Sequence, residues 1–182
     1  MYFATPTTTI TFILLLNIIV HTKMRLFNIL VFFQAVLVGF AQEHPPVMAF
    51  PPELYGAANQ NWSITQTEDQ KMYFANNSGL LEFNGSEWTL HPVSDNSIVR
   101  SVQADGQRVY TGSYMDFGYW EHDQFGALKY QSLVKAHKLS ILEEEQFWNI
   151  KILDDWILFQ SLSRIYMINI FSNQTRTIES DH

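Results

Sequence analysis

The residues best suited to contact a ligand lie in one short stretch, Ser113–Tyr119, which mixes aromatic, acidic and glycine residues. Aromatic side chains with a few well-placed polar groups are typical of ligand sites. The candidate ligand-binding residues are Tyr114, Asp116, Phe117 and Tyr119. An ordinary turn between two strands explains the same residues, and that alternative stays open.

Residues for catalysis or metal binding show no recognisable arrangement. No two of the six histidines have the spacing of metal ligands on one helix or strand. The sequence contains no G-x-S-x-G, H-E-x-x-H or P-loop motif. The acidic run Glu143–Glu145 is interpreted as a solvated face. We therefore predict no catalytic residue, no metal site, no cofactor and no enzymatic activity in this segment. The histidines are His21, His44, His91, His122, His137 and His182.

Composition excludes several classes of protein. With 182 residues and no cysteine, the chain has neither a disulfide framework nor a cysteine-based metal site. Aromatic residues make up 15% of it, so it can form a packed core. The formal net charge of −7 argues against nucleic-acid binding, because phosphate contacts need clustered lysine and arginine.

Residues 1–41 contain no Asp or Glu and have the parts of a secretory signal. Two apolar runs, Ile10–Val20 and Leu26–Phe40, flank the basic residues Lys23 and Arg25. Each run is shorter than the roughly 20 residues that span a bilayer, which favours a signal peptide over a two-run membrane anchor. Removing the segment changes the net charge from −7 to −9.

Small residues at the end of the second run place the predicted signal cleavage between Ala41 and Gln42. Met24 lies two residues before the second run, beside the basic residues, and is an alternative start of translation. Residues 42–60 are rich in proline and are predicted to form an extended lead-in, because proline disfavours helix in the residue before it.

From residue 61 onward, short apolar strands alternate with turn residues. Residues 61–97 are predicted to hold four strands, with a corner at Gly79 and a two-residue hairpin at Asn84-Gly85 that needs positive φ at both positions. Four short antiparallel strands are the unit, or blade, of a β-propeller. The aromatic residues of these strands are mostly assigned to the core between blades.

The same pattern starts again at Val99 and at Trp148. These starts predict a second blade over 98–146, with an inserted short helix in Val134–Gln146, and a partial third blade over 147–182. The predicted fold class is all-β: an incomplete β-propeller of two to three four-stranded antiparallel blades after an N-terminal signal segment.

A propeller closes with at least about four blades, and an open stack exposes a sheet edge and one blade face. We therefore expect the chain to be the N-terminal part of a longer protein, whose remaining blades are its partners. A truncated, non-functional gene product is the alternative. In either case we expect the isolated segment to be prone to aggregation.

The first two blades resemble a known family in their repeated motifs. Gln60–Ile64, Met72–Asn76 and Gly79–Trp88, followed by Val109–Ser113 and Phe117–Trp120, are similar to the two-component-regulator propeller repeat. More narrowly, they resemble the N-terminus of the triple-tyrosine-motif sensor regulators of Bacteroidetes. The resemblance covers about residues 45–170 and is loose in the third blade.

The resemblance implies an exported propeller at the periplasmic face of the inner membrane. In that family a β-sandwich, a transmembrane helix and a histidine kinase or LuxR-type helix-turn-helix follow. It implies that this segment is the non-catalytic sensor portion of a transmembrane signalling or transcription regulator, binding an unknown small-molecule or glycan ligand. A fragment of a carbohydrate-active propeller enzyme and a non-signalling interaction propeller are the alternatives.

Overall fold

The structure, a computed structural model, describes residues 6–39, 45–93 and 96–179. It divides into two compact units, Met1–Met48 and Ala49–His182, which we describe separately. The predicted cleavage site at Ala41 and Gln42 lies outside the described residues.

In the first unit, a single helix, α1 (Pro6–Gly39), joins the two apolar runs of the sequence. Its segment Leu14–Gln34 has a mean hydropathy of 1.5 over 21 residues, and none of it is buried. By length and composition α1 can cross a membrane, and an N-terminal signal sequence has the same properties. Because the two runs form one helix that is long enough to span a bilayer, the shortness of each run does not distinguish a signal peptide from a membrane anchor.

In the second unit, the described strands form three four-stranded antiparallel sheets. Each sheet is a meander whose strands pair in chain order, which confirms the predicted all-β, incomplete propeller. The third sheet has a fourth strand at Thr175–Glu179 that the strand pattern in the sequence does not show. Sheet 1 comprises β1 (Asn61–Gln66), β2 (Met72–Asn76), β3 (Gly79–Phe83) and β4 (Trp88–His91). Sheet 2 comprises β5 (Val99–Asp105), β6 (Arg108–Ser113), β7 (Phe117–His122) and β8 (Leu128–Ser132). Sheet 3 comprises β9 (Asn149–Leu153), β10 (Trp156–Gln160), β11 (Arg164–Asn169) and β12 (Thr175–Glu179).

Sheet 2 is buried on both faces because it packs against sheet 1 on one side and sheet 3 on the other. Successive residues of its strands point to opposite faces. Its Val109 packs toward sheet 1 and the neighbouring Tyr110 toward sheet 3, which gives two separate hydrophobic clusters. The first cluster contains Tyr73, Ala75, Leu80, Val93, Val99, Val102, Val109 and Trp120. The second contains Tyr110, Phe117, Phe147, Ile150, Ile157, Phe159, Tyr166 and Ile168. The prediction that aromatic residues form the core between blades therefore applies to Tyr73, Tyr110, Phe117 and Trp120, but not to Trp148 and Trp156, which stay partly exposed.

The first strands of sheets 1 and 2 lie side by side and are joined by side chains. Ser63 Oγ donates to the Val102 carbonyl at 3.4 Å, and Thr65 Oγ1 accepts from the Ala104 amide at 3.0 Å. From the first contact to the second, the residue number rises by two in both strands, so β1 and β5 run parallel to each other. This is the arrangement of the innermost strands of neighbouring propeller blades.

Sheets 2 and 3 meet at a tight contact around Gly112. Ser101 Oγ donates to the Phe147 carbonyl at 2.9 Å in a buried position. A Cβ atom on Gly112 would lie 2.5 Å from Ser101 Oγ and 2.7 Å from Phe147 Cβ. Glycine is therefore required here by the close approach of the two sheets rather than by a turn.

The lead-in differs from the extended segment that its prolines predict. A one-turn helix, α2 (Pro52–Tyr55), begins at Pro52 and ends at Gly56, which has a φ of 64°. Proline is tolerated at the first helical position because the amide it lacks would have no partner there. Phe50 and Tyr55 bring their rings to 5.3 and 5.4 Å from Trp88, so the lead-in covers the outer face of sheet 1.

The two-residue hairpin predicted at Asn84-Gly85 is also wrong. Phe83 pairs with Trp88, so the connection has four residues, and within it only Gly85 has positive φ. The Asn84 carboxamide oxygen accepts from the amides of Ser86 and Glu87 at 3.0 and 2.8 Å. This side-chain cap stabilises the longer loop and removes the need for a left-handed Asn84.

We predict that Gly112→Ala lowers the free energy of unfolding by about 3 kcal/mol, near the upper end for overpacking, because backbone as well as side-chain atoms must move. The measurement is chemical denaturation of the full chain followed by circular dichroism. Gly126→Ala is the control. It has positive φ but open space around it, so only a backbone cost of about 1 kcal/mol is expected. Equal losses in the two variants would contradict the close-approach explanation.

Candidate functional site

Two β-bulges place large side chains at the same point of neighbouring sheets. In sheet 1, Asn61 pairs with Asn76 and Ser63 with Ala75, which leaves Trp62 as the extra residue. In sheet 2 the register shifts in the same way between Val99 and Ser101, which leaves Arg100. A bulge turns its extra residue out of the alternation of the strand, so both side chains are re-aimed.

Trp148 occupies the matching place in sheet 3, directly before β9, and its amide donates to the Gln160 carbonyl at 2.9 Å. The ring centroids of Trp62 and Trp148 are 5.7 Å apart with an interplanar angle of 79°. The Arg100 guanidinium carbon lies 4.3 Å from the Trp62 ring centroid and 4.9 Å from that of Trp148. We call these three residues the indole–guanidinium cluster.

The cluster lies at the end of the sheets that carries the starts of β1, β5 and β9. The pairing of Asn76 with Gly79 and of Gly112 with Phe117 places the turns β2–β3 and β6–β7 at this same end. We call it the entrance end. Residues from three consecutive sheets therefore converge on one small surface.

Hydrogen bonds hold the cluster in place at its edge. Trp62 Nε1 donates to Asn77 Oδ1 at 2.7 Å, and Arg100 Nε donates to Gln146 Oε1 at 2.9 Å. Gln146 also forms an antiparallel bridge with Tyr114 through the backbone. The cluster is thus connected to the β6–β7 loop, where the sequence places its candidate ligand-binding residues.

The cluster remains accessible to solvent although its members touch. Trp62 is 40% exposed, Tyr114 is 42% exposed, and Arg100 and Trp148 are half-buried. Partial burial lowers the pKa of the Arg100 guanidinium, which nevertheless stays charged at any physiological pH. Two indoles, a phenol and a cation on one surface are suited to stacking on, and hydrogen bonding to, a ligand.

The acidic run Glu143–Glu145 is not a solvated face throughout, because Glu145 is buried. Its carboxylate accepts from Ser161 Oγ at 2.5 Å, from the Tyr166 hydroxyl at 2.9 Å and from the Leu142 amide at 3.0 Å. These groups compensate for the loss of water around the charge.

Glu145 also connects the loop before Trp148 to the entrance end. Its carbonyl accepts from the Met115 amide at 2.7 Å. Met115 has a φ of 54° and is 37% exposed beside Tyr114. The buried carboxylate thereby positions both the β6–β7 loop and the residues that lead into Trp148.

Of the four candidate residues, only Tyr114 lies on this surface. Asp116 turns away, and its carboxylate accepts from Ser132 Oγ at 2.6 Å. Burial raises the pKa of Asp116, and the Ser132 bond opposes that rise. Phe117 is fully buried, with its ring stacked on Phe159 at 4.2 Å. Tyr119 lies under the Arg108 guanidinium at 4.3 Å, in a groove of about 500 Å³ between sheets 2 and 3.

Asp116 has a structural function at α3 (Leu133–His137), the short helix that the insertion predicts. Ser132 caps this helix by accepting from the Lys135 amide at 3.1 Å, while it donates to Asp116. The carboxylate therefore links the β6–β7 loop to the start of α3.

A second groove, of about 560 Å³, lies at the opposite end between sheets 1 and 2. Near it, Glu82 Oε2 is 2.8 Å from His91 Nε2, and Glu82 Oε1 is 3.6 Å from Lys71 Nζ. The hydrogen bond from His91 is the main cause that lowers the pKa of Glu82. Of these three residues only Lys71 lines the groove, and its ion pair with Glu82 connects the groove to His91.

Across residues 14–34, 45–93 and 96–179, the ranges whose side chains the structure describes, no group of three His, Asp or Glu side chains could hold a metal ion. The cluster was missed in the sequence because a bulge is not visible in a strand pattern. The cluster is visible in the sequence only when the three strand starts are aligned, because Trp62, Arg100 and Trp148 then fall at the same position. The aligned segments are Trp62-Ser-Ile64, Arg100-Ser-Val102 and Trp148-Asn-Ile150.

Comparisons with solved structures show the fold. Two matches are extracellular domains of BT4673 from B. thetaiotaomicron, described once as a one-component and once as a hybrid two-component system. They have TM-scores of 0.57 and 0.51 at 18% and 12% identity, and cover 72% and 67% of this chain. Virginiamycin B lyase from Staphylococcus aureus matches with a TM-score of 0.51 at 16% identity over 69% of the chain.

The chain spans only part of each of these proteins: 18% and 16% of the two BT4673 domains and 44% of the lyase. No protein-family model matches the sequence, and no curated protein matches it.

We predict that Glu145→Ala loosens the loop before Trp148, because it leaves the Leu142 amide without its acceptor and the Tyr166 hydroxyl with only the Ser140 carbonyl. Unfolding should cost about 2 kcal/mol less, and the Leu142 and Met115 amides should exchange faster in hydrogen-exchange measurements. Glu143→Ala, at an exposed position of the same run, is the control and should change stability by less than about 0.5 kcal/mol. Unchanged exchange at Met115 in Glu145→Ala would contradict the positioning role.

We also predict a pH dependence from Glu82. Because the folded pKa lies below the ordinary value of 4.5, Glu82 contributes stability above pH 4.5 and loses it as pH falls further. The free energy of unfolding of Glu82→Gln should therefore be lower than that of the unmutated chain at neutral pH and should approach it in acid. Glu87→Gln, at an exposed loop position, should parallel the unmutated chain. A difference that is constant with pH would contradict the prediction.

Proposed function

We propose that the three sheets are the ligand-binding portion of an exported sensor, and that the ligand binds at the entrance end. The observation that carries the proposal is the indole–guanidinium cluster, in which three consecutive sheets bring large, solvent-accessible side chains to one point. Aromatic and cationic side chains that converge and stay accessible to solvent are typical of a recognition surface rather than of a core.

Export is supported by α1, whose apolar segment has the length and composition of a signal sequence or a membrane span. The BT4673 domains with this fold are described as extracellular parts of regulatory systems. By analogy of fold, we propose that the present chain lies outside the cytoplasm and passes ligand binding to an output domain of a longer protein. Fold-level analogy supports this role but does not identify the ligand.

An enzymatic function has less support. The same fold occurs in virginiamycin B lyase, so a propeller of this kind can carry catalysis. In the described part of this chain, however, the carboxylates of Glu145 and Asp116 are occupied by internal hydrogen bonds. The exposed Glu143 and Glu144 line a pocket with Trp148, but in the described residues neither is hydrogen-bonded to a nucleophile or a second acid–base group that it could activate.

The site is tested by tryptophan fluorescence of the full chain, titrated with oligosaccharides derived from xylan, mannan, galactan and pectin. We expect at least one of them to change the emission, and Trp62→Phe with Trp148→Phe to abolish the change. Trp156→Phe is the matched control, because the Trp156 indole also stacks with an arginine, Arg176 at 4.9 Å, but at the opposite end of sheet 3. A response that depends on Trp156, or no response to any oligosaccharide, would contradict the proposal.

Export is tested separately with fusions after His182. An alkaline phosphatase fusion should be active, because that enzyme needs disulfide bonds that form outside the cytoplasm. Removing residues 1–41 should abolish the activity. A phosphatase that is inactive in the presence of residues 1–41 would contradict export.

A further inference from the structure

Within residues 45–93 and 96–179, Arg100 differs from the other half-buried arginines, Arg108 and Arg164, in having no carboxylate partner. Arg108 lies 3.5 Å from a Glu121 carboxylate oxygen, and Arg164 lies 2.7 Å from one of Glu179. Across the described residues, no acidic side chain lies within ion-pair distance of Arg100. A half-buried cation without a counter-ion keeps a desolvation cost that a bound anion would offset.

The hydrogen-bonding capacity of Arg100 is also largely unused. A guanidinium has five N–H donors arranged as a planar fork. Only the one on Nε is occupied, by Gln146 Oε1 at 2.9 Å, and in residues 45–93 and 96–179 neither terminal nitrogen has a protein acceptor. The two terminal nitrogens together match the geometry of an oxyanion with two oxygens, such as a carboxylate.

Three contacts hold the fork in one orientation before any ligand arrives. The indoles of Trp62 and Trp148 contact the guanidinium at 4.3 and 4.9 Å, and the Gln146 bond prevents rotation about Nε. A preorganised donor loses less conformational entropy when it binds. The same indoles offer apolar surface directly beside the charge, so the ligand group next to the anion should be a ring or another flat apolar group.

The geometry points to Arg100 as the anchor for a ligand oxyanion, a carboxylate attached to a ring, which pairs with the two terminal nitrogens while the ring stacks on Trp62 or Trp148. Sulfate and phosphate esters share this oxyanion chemistry and are separated from carboxylates by the test. The inference rests on the proposed function, since it assigns a ligand chemistry to the same entrance end.

The test uses benzoate as the probe, with benzamide as its neutral analogue of the same shape, at constant ionic strength. Binding to the full chain is followed by fluorescence and by the indole Nε1–H resonances in NMR spectra. We expect benzoate to bind at least ten times more tightly than benzamide, and to shift the Trp62 and Trp148 resonances but not that of Trp156. Phenyl phosphate and phenyl sulfate in parallel titrations show which oxyanion is preferred.

Arg100→Met should remove the preference for benzoate over benzamide. Arg100→Lys keeps the charge but not the fork. The logarithm of its benzoate-to-benzamide affinity ratio should be less than half of the value for the unmutated chain. Arg176→Met is the matched control, since it removes an arginine that also stacks on an indole, and it should bind benzoate as the unmutated chain does.

Equal binding of benzoate and benzamide, or benzoate binding unchanged in Arg100→Met, would overturn the inference. If Arg100→Met does not fold, the unmutated chain still decides: benzoate must shift the Arg100 Nε–H resonance, and failure to do so overturns the inference. Should a neutral oligosaccharide bind at Trp62 and Trp148 while benzoate does not, the anion inference fails and the proposed function stands. Should neither bind, both fail.

Discussion

The hydrogen bond from Ser101 to the Phe147 carbonyl, with Gly112 beside it, fixes the distance between the second and third sheets. A larger residue at Gly112 would separate β6 from the segment that leads into Trp148. The separation of Arg100 from Trp148 depends on the same contact, because one residue precedes Ser101 and the other follows Phe147. The entrance end is therefore a consequence of inter-sheet packing, and its aromatic surface exists only while the sheets stay at this distance.

The Glu145 carboxylate, two residues before Phe147, is also buried. A carboxylate inside the protein is tolerated only when hydrogen bonds replace its water, and here Ser161, Tyr166 and the Leu142 amide supply them. Arg100 presents the opposite case, a cation whose terminal nitrogens lack protein partners within the described ranges. The contrast supports our proposal that the Glu145 carboxylate serves the fold and that the Arg100 guanidinium binds a ligand.

Most strands and turns could be predicted from the sequence because their determinants are local. Short segments rich in apolar and aromatic residues, bounded by turn residues, indicate β2 and β6, whereas β12, which is exposed along its whole length, lacks such a pattern. The loop at Asn84 could not be predicted, since its side-chain cap competes with the hairpin that Asn-Gly favours. Burial of Glu145 could not be predicted either, because its partners Ser161 and Tyr166 are distant in sequence.

The candidate site was predicted only in part for a related reason. All three of Tyr114, Asp116 and Phe117 were candidates because the stretch Ser113–Tyr119 has the composition of a ligand site. Only Tyr114 lies at the entrance end, whereas Asp116 points to α3 and Phe117 to the core. Trp62 and Arg100 reach the surface through bulges, which depend on strand register and could not be predicted from the sequence.

The most direct measurement of the indole–guanidinium cluster is a nuclear Overhauser spectrum of the full chain. Cross-peaks between the indole protons of Trp62 and Trp148, with none to Trp156, are the predicted result, given ring centroids 5.7 Å apart. Absence of any Trp62–Trp148 cross-peak, with both rings assigned, would contradict the account.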